Sequence, residues 1–288
     1  MLDLLAAPFT EFEFMRRALV GGLALALSGA PVGVFLLLRR MALTGDAMAH
    51  AILPGAAVGY LVSGLSLGAM TIGGLAAGCI VAVGAGAVAR ATTLREDASL
   101  AAFYLISLAL GVTIVSMRGS SLDLLHVLFG NVLALDDATL ILLAAISSLT
   151  LLALALLYRP LVLETVDPLF LQSVSRAGAP TQLLFLAIVV MNLVAGFNAL
   201  GTLLAVGLMM LPAASARLWA SHVTGMFVVA TGVALASVYV GLIASYHMGA
   251  PSGPMIILAA GCFYVVSVLF GRAGGIIRRV PGRRHLEA

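Results

Sequence analysis

Long stretches without a charged side chain dominate this sequence, and they are the first guide to its structure. The uncharged runs cover residues 18–38, 47–89, 98–117, 138–158, 177–216 and 218–271. An α-helix needs about 20 mainly apolar residues to cross a bilayer core of about 30 Å. Each short run therefore predicts one membrane-spanning helix and each long run two, with Gly, Ser and Pro at the turns between them.

This pattern predicts an all-α, polytopic integral membrane protein. The predicted spans are 17–38, 44–63, 67–89, 98–117, 138–158, 180–199, 201–216, 222–246 and 254–271. They number nine, or eight if 201–216 or the first span is not a full crossing. The sequence lacks the alternation in units of about 10 residues that is typical of transmembrane β-strands. We interpret residues 1–288 as one transmembrane domain with a cytoplasmic tail at 272–288.

Composition supports a lipid-facing surface and limits the chemistry. Hydrophobic residues make up 62% of the chain, charged residues only 9%, and the mean hydropathy is +1.16. A soluble domain usually has about a quarter of its residues charged. All basic residues are Arg, so the Lys that a phosphate-binding P-loop requires is missing. If transport is driven by ATP, the ATPase must be another polypeptide.

The distribution of Arg predicts the orientation and argues against nucleic-acid binding. With the N-terminus outside, twelve Arg residues fall on the cytoplasmic side and three, Arg16, Arg17 and Arg118, on the outer side. Short cytoplasmic loops carry this excess in membrane proteins generally. Because topology already accounts for the basic residues, we expect no nucleic-acid partner.

Asp46 and His50 are the sharpest chemical signal. They are four residues apart at the start of an apolar span, so on a helix they share one face. An ionisable residue inside a membrane is costly and usually faces a pathway, and a carboxylate with an imidazole is a partial shell for Zn²⁺ or Mn²⁺. The alternative is structural, with Asp46 capping the helix and His50 bonded to a backbone carbonyl. Pro54 is expected to kink the helix and free a carbonyl.

Two further segments contain candidate residues. Asp123 and His126 form a second acid–His pair in the outer segment 118–137, where the ion could enter or where they could be ordinary polar loop residues. In the cytoplasmic segment 159–179, Asp167 can cap a short helix that opens at Pro168 and ends near Gly178. A short exposed amphipathic helix of this kind suits docking onto a partner.

Five stretches in the same order resemble the permease subunits of zinc, manganese and iron ABC importers (ABC-3 type). They are RRMALTGDAMAHAILPGAAVGYL (39–61), LLHVLFGNVLAL (124–135), DPLFLQSVSRAG (167–178), GTLLAVGLMMLPAASARL (201–218) and PSGP (251–254). The resemblance extends over nearly the whole chain. It implies a type II ABC importer permease fold in the bacterial inner membrane, working as a homodimer with the pathway on the two-fold axis.

The resemblance also implies partners and roles. An ATPase subunit docks on the cytoplasmic face through a coupling helix at about 167–178, and a metal-loaded binding protein docks outside. Asp46 and His50 are the expected metal contacts, and the D-L-L-H run makes Asp123 and His126 candidates for the place where the ion enters. The residues expected to take part in ATPase coupling are Asp167, Pro168, Arg176 and Gly178.

We therefore expect a permease that moves a divalent transition metal inward, with zinc first, manganese second and iron third. Zn²⁺ or Mn²⁺ is cargo, and no permanently bound cofactor is expected. As a transport subunit the chain is expected to perform no covalent chemistry itself, and the lack of an HExxH pair excludes a zinc protease of that type. The alternative is a stand-alone metal channel or secondary carrier, for which the 167–178 helix would be superfluous; an intramembrane enzyme is the weakest interpretation.

Overall fold

A computed structural model describes residues 8–64, 66–94, 96–117, 132, 135–166 and 178–279. The helices, numbered in chain order, are α1 (Glu13–Leu38), α2 (Ala42–Ala51), α3 (Leu53–Ser63), α4 (Leu67–Ala91), α5 (Glu96–Met117), α6 (Asp137–Val166), α7 (Gly178–Leu200), α8 (Thr202–Trp219), α9 (Val223–Met248) and α10 (Ser252–Phe270), followed by a 3-10 helix at Ile276–Arg279. The described residues contain no β-strand, which confirms the all-α class.

Most of the predicted spans are found as single helices. By length and composition, seven helices can cross a membrane: α1, α4, α6, α7, α8, α9 and α10. Helix α5 contains a shorter apolar stretch at 98–114. The chain is therefore a multi-pass membrane protein, as predicted.

The predicted span 44–63 is not one continuous helix. It is broken at Ile52 into α2 and α3, and Pro54 lies in the first turn of α3. Because proline has no N–H, Pro54 cannot bond to the carbonyl of His50. The Ser107 hydroxyl of α5 donates to the neighbouring carbonyl of Ala51 at 2.9 Å. A side chain therefore gives a backbone carbonyl at the break a hydrogen-bond partner. The expected kink is thus present.

The helix that contains the predicted span 138–158 is longer than that span. Helix α6 continues to Val166, well beyond Arg159, which the prediction placed in a cytoplasmic segment. The Arg159 side chain is exposed, and Glu164 forms an ion pair with Arg39 at the end of α1. The predicted span therefore ends inside a helix that continues to Val166, and where the membrane boundary lies stays a prediction.

Helix α1 lies at the centre of the bundle because its small residues let neighbouring helices approach closely. It packs against α6, α7, α8 and α9. A Cβ at Gly33 would collide with the backbone carbonyl of Met209 in α8, and one at Gly22 would lie 2.7 Å from Val238 Cγ1 in α9. Glycine is therefore required at these contacts, as small residues are in close membrane-helix packing generally.

A buried polar cluster joins three helices in this core. The Asn192 amide of α7 donates to Ser28 Oγ of α1 at 2.7 Å, and that hydroxyl donates to Ser147 Oγ of α6 at 3.2 Å. All three residues are buried. Asn192 is thus an interhelical hydrogen-bond partner.

Ion pairs at both ends show that α1 and α6 run in the same direction. At their first turns, Arg17 pairs with Asp137 at 3.1 Å, and at their last turns Arg39 pairs with Glu164. The predicted topology has both helices running from outside to cytoplasm, so this parallel arrangement agrees with it. Which side faces the cytoplasm stays a prediction.

Candidate metal-binding site

A hydrogen-bonded turn at the end of α1 sets the start of α2, the helix that carries Asp46 and His50. Arg40 has a positive φ of 62°, and it is the one non-glycine residue of the described ranges in that region. The amide of Arg40 donates to the Leu37 carbonyl at 3.1 Å, and the amide of Met41 donates to the Leu36 carbonyl at 2.9 Å. This pair of bonds is the Schellman motif, which usually has glycine at the left-handed position. The end of α1 therefore fixes the start of α2.

Asp46 and His50 lie on the same face of α2, as their spacing predicts. His50 Nε2 is 3.8 Å from Asp46 Oδ1, too far for a hydrogen bond but close enough for both atoms to reach one ion. Two ligands about 2.1 Å from a tetrahedrally bound ion lie about 3.4 Å apart, so a small side-chain rotation closes the gap. The Asp46 side chain is 66% exposed and that of His50 is 28% exposed.

A cavity of about 160 Å³ opens beside Asp46, between α2 and α5. Its walls are mostly apolar and include Leu43 and Ala47 from α2 and Leu100 and Tyr104 from α5. An ion there would meet the Asp46 carboxylate in apolar surroundings. Such surroundings strengthen electrostatic attraction relative to bulk water.

Tyr104 also orients His50. Its ring is stacked on the imidazole with centroids 6.5 Å apart and an interplanar angle of 30°. His50 Nδ1 is buried and has no hydrogen-bond partner in the described part of the chain. A metal-binding histidine normally donates its second ring nitrogen to an acceptor. Here the Tyr104 ring lies against the imidazole, and among the described residues neither ring nitrogen has a hydrogen-bond partner.

The site offers two ligands from one chain. No group of three or more His, Cys, Asp and Glu side chains that could hold a metal occurs among the described residues. A site of one carboxylate and one imidazole binds an ion weakly, which suits passage, because a transported ion must leave as well as enter. A tight structural metal site usually has four protein ligands.

The structure does not test the roles of the remaining predicted site residues. Asp123, His126, Asp167, Pro168 and Arg176 lie outside the described residues, and their roles stay predictions. Gly178 is the first residue of α7, so a helix begins there.

Sequence reasoning missed Tyr104 and the Arg39–Glu164 pair. Tyr104 is one of many residues in the uncharged run 98–117, and nothing in the local sequence marks it as a neighbour of His50. Arg39 and Glu164 are 125 residues apart, so only the tertiary fold brings them together.

A bundle of helices able to cross a membrane, with an accessible acid–His pair on a broken helix, has the architecture expected of a membrane transport protein. Comparison with known proteins gives the family: the ABC 3 transport family matches residues 11–271, and the chain belongs to it. The recognition made from the sequence motifs is thereby confirmed. As a member, the chain is the permease component of an ABC transporter.

Relatives with curated names align over nearly their full length. The chain is 30% identical over 258 residues to the manganese import system permease protein ScaB of Streptococcus parasanguinis, covering 89% of this chain and 90% of ScaB. It is 31% identical over 282 residues to the manganese transport system membrane protein MntC of Halalkalibacterium halodurans, covering 96% and 94%. A probable iron transport system membrane protein of Haemophilus influenzae is 29% identical, covering 94% and 98%.

Solved structures agree on the fold. A chain of PsaBC from Streptococcus pneumoniae, in complex with Fab, matches with a TM-score of 0.83 and 26% identity, over 95% of this chain and 97% of that one. An inward-facing putative metal-chelate type ABC transporter matches with a TM-score of 0.70, over 88% and 84%. Its identity is 14%, so that likeness concerns the fold alone.

Proposed function

We propose that this chain is the permease subunit of an ATP-driven importer of a divalent transition metal, with manganese as the first candidate. The observation that carries the proposal is the Asp46–His50 pair, held on a broken membrane helix beside a cavity. A carboxylate and an imidazole suit Mn²⁺, Zn²⁺ and Fe²⁺, so the ligands alone do not choose among them.

Manganese takes the place that the motif reasoning gave to zinc. Both ScaB and MntC are manganese proteins by name, and the relative from Haemophilus influenzae is named for iron. The ranking of zinc first rested only on ligand chemistry that fits manganese equally. Family membership therefore supports a metal permease, and the relatives' names support manganese ahead of iron and zinc.

A second copy of the chain would complete the site. Asp46 is largely exposed on a helix within the membrane domain, and the neighbouring Leu43 side chain is 83% exposed. An intramembrane carboxylate faces protein or water rather than lipid, because lipid cannot solvate it. Two copies facing each other across α2 would bring together two carboxylates and two imidazoles, the ligand number of a complete site.

The partners follow from the class of transporter. An ABC permease without a P-loop lysine requires a separate ATPase, which would dock through the segment at about 167–178 between α6 and α7. A binding protein would deliver the ion outside, near Asp123 and His126. ATP-driven closure of the ATPase pair would rock the helices, and Asp46 and His50 would hold the ion briefly in passage.

Reconstitution tests this function directly. Vesicles would contain the chain with its ATPase partner, and Mn²⁺, Zn²⁺ and Fe²⁺ would be supplied separately on the loaded binding protein. We expect ATP-dependent uptake with Mn²⁺ the fastest of the three. Uptake that is fastest for Zn²⁺ would reject the metal assignment while leaving the transporter class intact.

The same preparation separates the importer from a stand-alone carrier. Vesicles that hold the chain without its ATPase should take up no metal above the level of empty vesicles. Equal uptake with and without the ATPase would show that the chain transports metal by itself, and would overturn the proposal.

A further inference from the structure

The Arg39–Glu164 ion pair is buried on the side of the bundle opposite to the Arg17–Asp137 pair. The side chains of Arg39 and Glu164 are only 8% and 16% exposed. The guanidinium carbon of Arg39 also lies 4.7 Å from the centroid of the Phe185 ring in α7. Burying two charges is costly unless their geometry is good, and in membrane proteins such pairs tend to mark function.

These three residues join the helix ends that border one segment. Glu164 lies in the last turn of α6, which ends at Val166, and Phe185 lies in the second turn of α7, which begins at Gly178. The chain between those helices is the segment expected to dock the ATPase. A displacement applied there must pass through the end of α6 or the start of α7, and Arg39 contacts both.

Arg39 is also rigidly connected to the helix that carries Asp46. It is the C-terminal cap of α1, and its amide donates to the Phe35 carbonyl at 3.0 Å. The Schellman bonds of Arg40 and Met41 follow directly, and Met41 is buried. Helix α2 begins at the next residue, Ala42, one turn before Asp46. A shift of Arg39 would therefore be carried into α2.

We propose that Arg39 is a positioning residue for transport, which links the ends of α6 and α7 to the metal-contacting helix α2 and so couples ATPase movement to the Asp46–His50 site. The inference rests on the proposed ATP-driven function. It concerns residues that lie outside the Asp46–His50 pair and outside the segment at about 167–178.

The surroundings of Arg39 leave room for such a movement. A groove of about 430 Å³ opens beside it, lined by Leu38, Arg40, Met41, Glu164, Thr165 and Gln182. Arg39 Nε is buried and has no hydrogen-bond partner in the part of the chain that the structure describes. An arginine used only as a fixed brace would be expected to use its planar fork in two parallel bonds. The unused Nε donor and the groove beside the side chain are together compatible with a second arrangement of Arg39.

The test measures metal ions imported per ATP hydrolysed in vesicles that contain the chain with its ATPase. Arg39→Lys keeps the charge but removes the planar group that stacks on Phe185, and Glu164→Gln removes the charge of its partner. We expect each variant to hydrolyse ATP at close to the native rate and to import at least threefold fewer ions per ATP. The matched control is Arg159→Lys, an exposed arginine on α6, which should keep the native ratio.

A double variant tests whether the two residues act as one unit. The double variant Arg39→Gln with Glu164→Gln is compared with each of its two single variants. It should lower the number of ions imported per ATP no further than the more damaging single variant, because the effects of two residues in one link are not additive. If a neutral residue at position 39 prevents insertion of the protein into the membrane, the charge-conserving variant Arg39→Lys still tests whether Arg39 couples ATP hydrolysis to import.

Three outcomes contradict the inference. A native ratio in Arg39→Lys would overturn it, as would a parallel fall of import and hydrolysis, which a purely structural role predicts. The inference would also be rejected if the fold-loss in ions imported per ATP in the double variant equalled the product of the fold-losses in the two single variants. The proposed function fails differently: in that case the native complex itself shows no ATP-dependent import.

Discussion

At the scale of single residues, the carboxylates of Asp46 and Glu164 have opposite environments. Asp46 is exposed, and the ring nitrogen of His50 lies 3.8 Å away. Glu164 is buried against Arg39. An exposed, loosely paired carboxylate can exchange a partner, whereas a buried paired one is costly to separate. This contrast supports the proposed ion handling by Asp46 and the proposed link between helices through Glu164.

Asp136 gives a residue-scale prediction outside the spans. The Thr139 amide donates to Asp136 Oδ1 at 2.9 Å at the start of α6. The side-chain hydrogen bond with Thr139 is the largest cause that lowers the pKa of Asp136 below its ordinary value of 3.8. A lowered pKa means that ionised Asp136 stabilises the fold above 3.8 and that this contribution is lost as pH falls through the folded pKa.

We therefore expect Asp136→Ala to lower the melting temperature at neutral pH, with the difference from the native protein shrinking in acid. Thermal unfolding of the purified protein as a function of pH measures this. Asp136→Asn keeps an acceptor for the amide and is the control that should retain most of the stability without the pH dependence. A difference that is constant across pH would contradict the assignment.

Part of the site was predictable at this scale and part was not. The i, i+4 rule placed Asp46 and His50 on one face, because helical spacing is local information. Tyr104 on α5 could not be found in this way, since its contact with His50 depends on how α2 and α5 pack. The same limit hid Glu164, whose charge is offset by an arginine far away in the sequence.

At the scale of elements, the contact between α3 and α4 is made by backbone meeting backbone. A Cβ at Gly55 would collide with the Gly73 carbonyl, and a Cβ at Gly73 would collide with that of Gly55. Helix α5 packs closely against the break between α2 and α3, since a Cβ at Gly111 in α5 would lie 3.0 Å from the Pro54 nitrogen. The broken helix is therefore held by close packing on two sides.

Gly55→Ala should destabilise the protein although alanine favours helices. Overpacking costs about 1–3 kcal/mol, and here the obstacle is backbone that cannot rotate away. The matched control is Gly232→Ala in α9, where nothing lies within 4 Å of an added Cβ. That change should be neutral or stabilising by up to about 1 kcal/mol. Melting temperatures in the same detergent compare the two, and equal effects would contradict the described packing.

Hydropathy located the helices well but not their breaks and ends. Proline chemistry predicted the kink in 44–63, because the missing N–H is a property of one residue. Helix α6 continues beyond Arg159, because a charge that suggests a membrane boundary does not by itself end a helix. The ion pair of Glu164 with Arg39 could not be read from a linear pattern either, since the two residues are 125 apart in the sequence.

At the scale of the whole molecule, one copy leaves its candidate site open on one side. Leu43 and Asp46 are exposed where a membrane protein needs protein or water beside a carboxylate. The proposed homodimer accounts for this exposure, and the sequence alone suggested it only through the family resemblance.

Cysteine cross-linking tests that arrangement. In a background with Cys79→Ala and Cys262→Ala, Leu43→Cys should form a covalent dimer on mild oxidation in membranes. Val228→Cys, on an exposed position of α9, is the control and should remain monomeric. Equal cross-linking of both variants, or none for Leu43→Cys despite native uptake, would argue against α2 facing a second copy.

The most direct test of the central claim is metal uptake by Asp46→Asn and His50→Ala in vesicles with the ATPase partner and loaded binding protein. Val228→Ala, at an exposed position of α9 away from the pair, is the control. We predict that both site variants assemble and hydrolyse ATP but lose at least ten-fold in Mn²⁺ uptake, while the control transports. Native uptake by both site variants would contradict the account, and would make Asp46 and His50 structural residues.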